Sequence, residues 1–317
     1  MSLLERALEL AERGRGMTRP NPLVGAVVAR GDEVVGEGWH ERAGGPHAEF
    51  LALEAAGERA RGATLYVTLE PCAHHGRTPP CVDAILAAGI GRVVVAVPDP
   101  NPKTNGRGFA RLRETGIDVE LDEGELADRA RRQNEAWRTW ISTGRPLVAY
   151  KVAISVDGRV TVPGSRWVSS EESRRRVHEL RAGYDAVAVG MGTVRADEPR
   201  LDARGVAAGR QPRRLAFGRG PLGAGSELEL RTGGLEEELA RLGAEGVQSL
   251  LLEGGPTLAT SFLAGGLVDK LLLFVAPTFS GSGPRWVGEL AAPLALRGLR
   301  AERSGEDVLL IAYIREP

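Results

Sequence analysis

The sequence predicts an α/β fold organised as two domains, and three observations carry that prediction. A chain of 317 residues is about twice the usual length of one domain. Amphipathic helical stretches alternate with short apolar strands through both halves. Between the halves, the segment "STGRP" at residues 142–146 is polar and rich in turn formers. We therefore predict one domain over residues 1–144 and another over residues 145–317.

The first half alternates helix and strand from its first residues. Ser2 and Glu5 have the spacing of a capping box at a helix start. The run "RVVVAVPDP" from Arg92 is almost wholly apolar, which is typical of a strand buried on both faces. In chain order, the pattern predicts a helix over 2–14, strands over 23–30 and 31–39, a helix over 47–60, a strand over 64–70, a helix over 81–89, a strand from 92, a helix over 108–115, a strand over 117–121 and a helix over 125–142.

The second half begins with a long strand, 146–160, broken by a Val-Asp-Gly turn. Ser169 and Glu172 are predicted to cap a helix that runs to Arg181, and Pro256 stands in the first turn of another helix. The remaining pattern predicts strands over 185–190, 213–218 and 248–255, a helix over 256–266, and strands over 268–277 and 306–314. Irregular loops are expected over 203–209 and 218–225.

Composition excludes several classes of protein. A net charge of −1 argues against a nucleic-acid surface and against a polybasic membrane anchor. No apolar run reaches the ~18 residues of a membrane span, and the first residues lack a signal-peptide pattern. We therefore expect a cytoplasmic protein without nucleic-acid or membrane partners. The two cysteines are expected to be thiols.

A His-x-Glu motif at a helix start is the first chemical signal. In "GGPHAEFLALEAAG" a Gly-Gly-Pro turn leads into the helix that carries His47 and Glu49. Cys72 closes a strand, and Cys81 opens a helix. Three protein ligands and one open position are the arrangement of catalytic zinc, which indicates His47, Cys72 and Cys81 as ligands. Glu49 is then the proton carrier, because this pattern is that of zinc nucleobase deaminases.

The spacing of the two cysteines departs from the usual Cys-x-x-Cys. Eight residues, "AHHGRTPP", separate Cys72 from Cys81. The insert brings His74 and Arg77 beside the metal, where they are expected to contact a polar or anionic substrate. His74 and its neighbour His75 are also compatible with being plain loop residues.

Two other functions remain open at this point. A nucleic-acid-editing zinc deaminase shares these motifs, but it predicts a basic face and a Cys-x-x-Cys. A zinc-stabilised binding module predicts a closed site of four ligands and has no use for Glu49.

A second chemical signal lies in "EGGPTLATS". A strand ends at Glu253, two glycines permit close approach of a ligand, and a helix start offers N–H groups to a phosphate. No Gly-x-Gly-x-x-Gly follows a strand, so a Rossmann domain is not indicated. Trp137 and Trp140 stand three apart on a helix and are predicted to pack between the domains rather than to bind substrate.

The motifs in their order resemble one family over nearly the whole chain. The run "NPLVGAVV … GEGWHERAGGPHAE … YVTLEPCAHHGRTPPC … DPNP", followed by "KVAISVDGR", "SRWVSS", "GTVRADEPRLDAR" and "LLEGGPTL", closely resembles the bifunctional riboflavin-biosynthesis deaminase–reductases. The long insert between the cysteines is itself characteristic of that family. The resemblance implies a cytidine-deaminase-like α/β/α domain followed by a dihydrofolate-reductase-like α/β domain.

The same resemblance implies the reactions and the binding residues. The first domain would hydrolyse the ring 2-amino group of a diamino-ribosylamino-pyrimidinone phosphate with Zn²⁺, and the second would reduce the ribosyl chain with NADPH. By family register, the cofactor contacts are Ala153, Trp167, Thr193, Asp197, Gly255, Pro256, Thr257, Leu258, Ala259, Thr260 and Ser261. The substrate contacts are Asn21, His74, Arg77, Lys151, Ser165, Arg181, Leu201, Arg204 and Glu253.

Two positions depart from the family pattern. The family often has Lys where Arg77 stands, and it commonly has a second Asp where Glu198 stands. Lys151 is also compatible with a solvated strand residue, and Trp167 with a core aromatic. Whether the chain forms a homo-oligomer, and whether it prefers NADPH to NADH, does not follow from the residues themselves.

Overall fold

The structure is a computed structural model that describes residues 1–74 and 79–316. The chain divides into two compact units, Met1–Thr143 and Gly144–Glu316. Within the described residues, no helix combines the length and the apolar character that crossing a bilayer requires.

The first unit is built on a five-stranded sheet in the order β2-β1-β3-β4-β5. β1 is antiparallel to β2 and β3, and β3, β4 and β5 are parallel to one another. The strands are β1 (Gly25–Arg30), β2 (Glu33–Trp39), β3 (Thr64–Val67), β4 (Arg92–Val95) and β5 (Asp118–Leu121). The helices are α1 (Leu3–Glu12), α2 (Ala48–Ala56), α3 (Cys81–Ala87), α4 (Arg107–Glu114), α5 (Glu125–Gln133) and α6 (Glu135–Thr143).

Glycines let helices lie directly on both faces of this sheet. A Cβ on Gly25 would stand 2.0 Å from the Ala7 carbonyl oxygen of α1. A Cβ on Gly38 would stand 2.5 Å from the Ala48 carbonyl oxygen of α2. Gly38 pairs with Ala26, the neighbour of Gly25, so the two glycines point to opposite faces of the pleat. The first unit is therefore an α/β/α sandwich, and α2 is seated close against the sheet.

Most elements of the first unit differ from their predicted bounds by one or two residues at an end, and three differ more. The predicted helix 125–142 is two helices, because the side chain of Asn134 hydrogen-bonds the backbone N–H and C=O of Leu23, each at 2.8 Å. Helix α2 ends at Ala56, where Gly57 adopts a φ of 56° and a 3₁₀ turn follows. β3 ends at Val67 rather than at residue 70. Thr68, the next residue, accepts a hydrogen bond from Gly25 N–H on its hydroxyl.

The second unit is built on an eight-stranded sheet in the order β12-β13-β11-β6-β10-β7-β8-β9. From β11 to β9 all neighbours are parallel, whereas β13 and β12 are antiparallel. The strands are β6 (Leu147–Ser155), β7 (Ala186–Gly190), β8 (Arg213–Phe217), β9 (Glu229–Arg231), β10 (Ser249–Leu252), β11 (Lys270–Ala276), β12 (Arg297–Ser304) and β13 (Asp307–Tyr313). The helices are α7 (Glu171–Gly183), α8 (Met191–Asp197), α9 (Leu235–Ala244) and α10 (Pro256–Ala264).

The second unit contains elements that the sequence pattern did not indicate. These are α8, β9, α9 and β12. No alternation of apolar and polar residues marks β12, because it is an edge strand whose residues are mostly exposed. The cap of α7 is Ser170 rather than Ser169, since the Ser170 hydroxyl accepts from Ser173 N–H and contacts the Asp307 carboxylate at 3.0 Å. The loops over 203–209 and 218–225 are irregular, as predicted.

The carboxyl ends of the parallel strands lie along one edge of this sheet. β7 leads directly into α8, and β10 leads through Glu253 and two glycines into α10. A Cβ built on Gly190, at the end of β7, would lie 3.4 Å from the Leu258 Cβ of α10. The starts of α8 and α10 are therefore neighbours at the edge where open α/β sheets bind ligands.

Candidate functional site

His47, Cys72 and Cys81 converge in the first unit. His47 is the N-cap of α2, Cys72 follows β3 at a distance of five residues, and Cys81 is the first residue of α3. One ligand atom from each lies within 4.8 Å of the others, and among the described residues this is the one such group of three. Nδ1 of His47 is 3.1 Å from Cys81 Sγ and 3.6 Å from Cys72 Sγ. One imidazole nitrogen and two sulfurs are the donor set that tetrahedral zinc prefers, so the residues fit the metal.

Hydrogen bonds shift the pKa values of the two cysteines in opposite directions. Cys72 Sγ accepts the backbone N–H of Cys81 at 3.3 Å. The side-chain hydrogen bond with Cys81, assisted by His47, lowers the pKa of Cys72. The same hydrogen bond, together with burial, raises the pKa of Cys81. These hydrogen bonds favour the thiolate at Cys72, and zinc would bind both sulfurs in the thiolate form.

Glu49 is buried beside this cluster without belonging to it. It lies in the first turn of α2 and is 3% exposed. Burial raises the pKa of Glu49, and the nearby His47 opposes that shift. A carboxyl group with a raised pKa next to a metal site is suited to taking up and releasing a proton.

A cavity of about 430 Å³ opens over these groups. The three residues His47, Glu49 and Cys72 all line this cavity. The other residues of the wall are Pro20, Asn21, Pro22, Val24, His40, Ala43, Gly44, Gly45, Leu69, Glu70, His74, Asp99, Asn101, Thr104, Trp137, Trp140 and Ile141.

Two of the three predicted substrate contacts of the first domain reach this cavity. Asn21 and His74 both line it. Nδ1 of His74 is buried and has no hydrogen-bond partner among the described residues. Arg77, like its neighbour His75, lies outside the described residues.

The orientation of Asn21 is set by a residue that sequence reasoning missed. His40 is 3% exposed, its Nδ1 is 2.9 Å from the Pro46 carbonyl oxygen, and its Nε2 is 3.0 Å from Nδ2 of Asn21. A carbonyl oxygen can only accept, so Nδ1 carries the proton and Nε2 accepts from the Asn21 amide. The amide oxygen of Asn21 is thereby left for the cavity.

Trp137 and Trp140 also line the cavity, although the sequence predicted only that they pack between the domains.

In the second unit, three predicted substrate contacts form one buried ion cluster. Arg181 donates to both carboxylate oxygens of Glu253, at 2.6 and 3.0 Å. Nζ of Lys151 lies 3.5 Å from Oε2 of Glu253. Burial alone would raise the pKa of Glu253, but the charges of Lys151 and Arg181 outweigh it and lower that pKa. Burial lowers the pKa of Lys151.

The other predicted substrate contacts of this unit lie in loops. Leu201 is buried at a φ of 55°, a conformation that costs free energy in a non-glycine residue and often marks a functional loop. Arg204 is exposed, and its guanidinium pairs with the carboxylate of Asp202. Ser165 is exposed and bonds the backbone of Trp167.

The predicted cofactor contacts gather around the starts of α8 and α10. Gly255 is the N-cap of α10, and a Cβ built on it would lie 3.4 Å from Oγ1 of Thr193. Asp197 ends α8 and is exposed. The side chain of Ala259 is fully buried in the core, which leaves only its backbone for a ligand. The helix start and the missing side chain at its N-cap fit a phosphate-bearing cofactor.

The remaining predicted cofactor contacts are placed as follows. Trp167 is 50% exposed, with the guanidinium groups of Arg166 and Arg174 each 5.1 Å from its ring centroid. Thr260 and Ser261 each donate a hydroxyl to a carbonyl oxygen one turn back in α10. Pro256, Thr257 and Leu258 form the first turn of α10, and Ala153 lies within β6.

Comparison with known families matches both units. Residues 1–97 match the family described as "Cytidine and deoxycytidylate deaminase zinc-binding region". Residues 146–222 and 226–310 match the family described as "RibD C-terminal domain".

Relatives match over nearly the full chain. "Riboflavin biosynthesis protein RibD" of Aquifex aeolicus is 41% identical over 97% of this chain and 96% of its own. The protein of the same name from Escherichia coli is 40% identical over 89% of each chain. Among solved structures, Acinetobacter baumannii RibD is 36% identical with a TM-score of 0.85, covering 98% of this chain and 97% of that chain. A deaminase/reductase of Thermotoga maritima is 34% identical with a TM-score of 0.83 over the same shares.

The cysteine geometry generates a prediction on metal content. Cys72→Ser or Cys81→Ser should lose zinc and lower the thermal stability of the first unit, since the free energy of metal binding is partly free energy of folding. His74→Ala is the matched control, because His74 lines the cavity but is outside the ligand group. Metal analysis of the purified variants, with a thermal melt, measures both effects. Full zinc occupancy in either cysteine variant would show that the ligand assignment is wrong.

Proposed function

The chain belongs to the RibD family, the bifunctional deaminase–reductases of riboflavin biosynthesis, and from that premise we propose which of its residues carry each reaction. The resemblance seen in the motifs is confirmed, as are the cytidine-deaminase-like and dihydrofolate-reductase-like folds, the zinc of the deaminase and the NADPH of the reductase. The division of labour between residues 1–144 and 145–317, and the role of each site residue, are our proposals.

The first unit deaminates 2,5-diamino-6-ribosylamino-pyrimidinone 5'-phosphate at ring position 2. Water is the co-reactant: its oxygen bonds to the ring carbon, the C–N bond breaks, and ammonia leaves. His47, Cys72 and Cys81 hold the zinc, which supplies Lewis-acid activation of that water. Glu49 takes one proton from the water and delivers it to the departing amino group, and the second water proton ends on the ring nitrogen next to the new carbonyl. The single observation that carries this assignment is the buried Glu49 beside a three-ligand cluster in one cavity.

Substrate binding in the first unit rests on Asn21, His74 and Arg77. The amide oxygen of Asn21, left for the cavity by His40, accepts an N–H of the pyrimidine. The unpartnered Nδ1 of His74 meets a polar group of the ligand. Arg77 supplies a cation for the phosphate.

The second unit reduces the ribosyl chain of the deaminated product to ribityl. NADPH supplies the reducing equivalents and binds at the start of α10. Its contacts are Ala153, Trp167, Thr193, Asp197 and the segment from Gly255 to Ser261. Lys151, Arg181 and Glu253 bind the sugar from the buried cluster, with Ser165, Leu201 and Arg204 as the outer contacts. The pairing of Arg181 with Glu253 supports this role, because it fixes the guanidinium before the substrate arrives.

The protein acts on small phosphorylated pyrimidines in the cytoplasm, and neither nucleic acid nor membrane is a partner. The net charge of −1 supports this statement. It also disfavours the nucleic-acid-editing alternative, which requires a basic face.

Glu49→Gln separates proton transfer from metal binding. Glutamine keeps the size and the hydrogen bonding but cannot carry a proton, so deamination should fall by about 10²–10⁴-fold. Zinc should stay bound, because Glu49 is outside the ligand group. Ammonia release and metal content measure the two effects.

His47→Ala is the comparison variant, and it should lose both zinc and deamination. Both variants should reduce separately supplied deaminated intermediate at a normal rate, since that reaction belongs to the other unit. The proposal fails if Glu49→Gln deaminates at the wild-type rate, or if it loses zinc as completely as His47→Ala.

Gly255→Val tests the cofactor site. A Cβ has room there, because Gly255 has an ordinary φ of −63° and the added atom would meet only Thr193 Oγ1, at 3.4 Å. The valine should therefore obstruct only the ligand and raise the KM for NADPH by at least tenfold, roughly the effect of losing 1.4 kcal/mol of binding. Deamination should be unchanged.

Gly234→Val is the matched control. Gly234 is the N-cap of α9 with a similar φ of −62°, and a Cβ there has open space. Its KM for NADPH should equal that of the wild type. Equal KM values for Gly255→Val and Gly234→Val would mean that the turn at Gly255 is not part of the cofactor site.

A further inference from the structure

The cavity of the first unit contains a second polar wall that the proposed chemistry does not use. It is the segment from Asp99 to Thr104, between β4 and α4, and its residues Asp99, Asn101 and Thr104 line the cavity. None of these three residues is a metal ligand or a candidate proton carrier. We refer to this segment as the acidic wall.

Thr104 offers an acceptor in this wall. Its side chain is 1% exposed, and its hydroxyl lies against the Asp99 carboxylate, to which it can donate its hydrogen. No other hydrogen bond of this hydroxyl is found among the described residues, so its oxygen lone pairs can accept an N–H from a ligand in the cavity.

Asp99 supplies a carboxylate next to this hydroxyl. It is 7% exposed, and its Oδ1 accepts the backbone N–H of Asn101 at 2.8 Å. Burial raises the pKa of Asp99 to about 6, so the group is mainly ionised at neutral pH. An ionised carboxylate can only accept hydrogen bonds, so it can face an amino or hydroxyl group of a ligand but not a ring carbonyl.

The acidic wall is held rigidly against the zinc-ligand segment by Glu70. Oε2 of this buried carboxylate accepts the backbone N–H groups of Asp99 and Gly106, at 3.2 and 3.1 Å, and Oε1 accepts that of Gly108 at 3.0 Å. Gly108 has no room for a side chain, because a Cβ would stand 2.1 Å from the Pro71 carbonyl oxygen. Glu70 and Pro71 immediately precede Cys72, so the wall and the metal site share one frame.

We propose that Asp99 and Thr104 determine specificity by accepting the two N–H groups of the amino group at ring position 5 of the substrate. This inference rests on the proposed deamination. The 2-amino group is the one that leaves beside Glu49, and the nitrogen at position 6 carries the ribosyl chain. The 5-amino group is therefore the ring substituent that offers two N–H donors to a pair of acceptors. The acidic wall distinguishes this substrate from pyrimidines that carry only hydrogen at that position.

The test compares two substrates on the full-length zinc enzyme. One is the diamino-ribosylamino-pyrimidinone phosphate, and the other is the same compound with hydrogen in place of the 5-amino group. The wild type should prefer the first by at least about tenfold in kcat/KM, because a site built for an N–H rejects an analogue that lacks it. Ammonia release gives both rates.

Asp99→Asn and Thr104→Val should abolish this preference. Asparagine can keep the bond to Asn101 N–H but turns an N–H donor toward the 5-amino group, and valine keeps the shape of threonine without its hydroxyl. For each variant the ratio of the two kcat/KM values should fall toward one, mainly through KM for the diamino substrate. Thr104→Ser should restore most of the ratio. Lys103→Ala, an exposed neighbour, is the matched control and should keep the wild-type ratio.

Zinc content and thermal melting show whether each variant is folded. If Asp99→Asn does not fold, the substrate ratio of Thr104→Val tests the inference. A wild-type ratio in the folded variants overturns the inference, as does a wild-type enzyme that deaminates both substrates equally well. A wild-type enzyme that deaminates neither substrate refutes the proposed function instead. The two failures are therefore distinguishable.

Discussion

The first unit depends on one constraint: three ligand atoms from separate stretches of chain must lie within 4.8 Å of one another. Two of them are placed by helix starts, since His47 is the N-cap of α2 and Cys81 begins α3. The third, Cys72, is fixed by its own backbone, whose carbonyl accepts the N–H of Val82 at 3.2 Å. The carboxylate of Glu70, two residues before Cys72, accepts backbone N–H groups from Asp99, Gly106 and Gly108. These hydrogen bonds fix the acidic wall of the cavity to the segment that carries Cys72. The metal site and the substrate cavity are thus parts of one hydrogen-bonded frame.

The second unit meets a different constraint, which is the burial of charge. Lys151, Arg181 and Glu253 are all largely withdrawn from water, with side chains 15%, 14% and 9% exposed. A buried charge without a partner is strongly destabilising, so the three groups must be satisfied together. Two cations on one carboxylate leave a net positive charge, which a phosphorylated sugar complements. The arrangement that satisfies the buried charges therefore also supports the proposed binding of a phosphorylated sugar.

The sequence predicted correctly the features that depend on residues close together along the chain. The α/β class, the cysteine and histidine at helix starts, and the capping of α1 by Ser2 all follow from local patterns. The prediction failed where a contact with a residue distant in sequence determines the local structure. Asn134 splits a predicted helix because it bonds Leu23, 111 residues away. The roles of His40 and Thr104 in the cavity wall likewise arise only when folding brings their segments together, and no local pattern marks them.

As proposed, one chain carries out a nucleotide-independent deamination and an NADPH-dependent reduction. Mass spectrometry of the purified zinc enzyme with the diamino-ribosylamino-pyrimidinone phosphate, with and without NADPH, tests it most directly. Without NADPH, we expect a product in which oxygen replaces the amino group and no hydrogen is gained. With NADPH, we expect a further gain of two hydrogens. A deamination that requires NADPH, or a two-hydrogen gain without it, would refute this division of the two reactions.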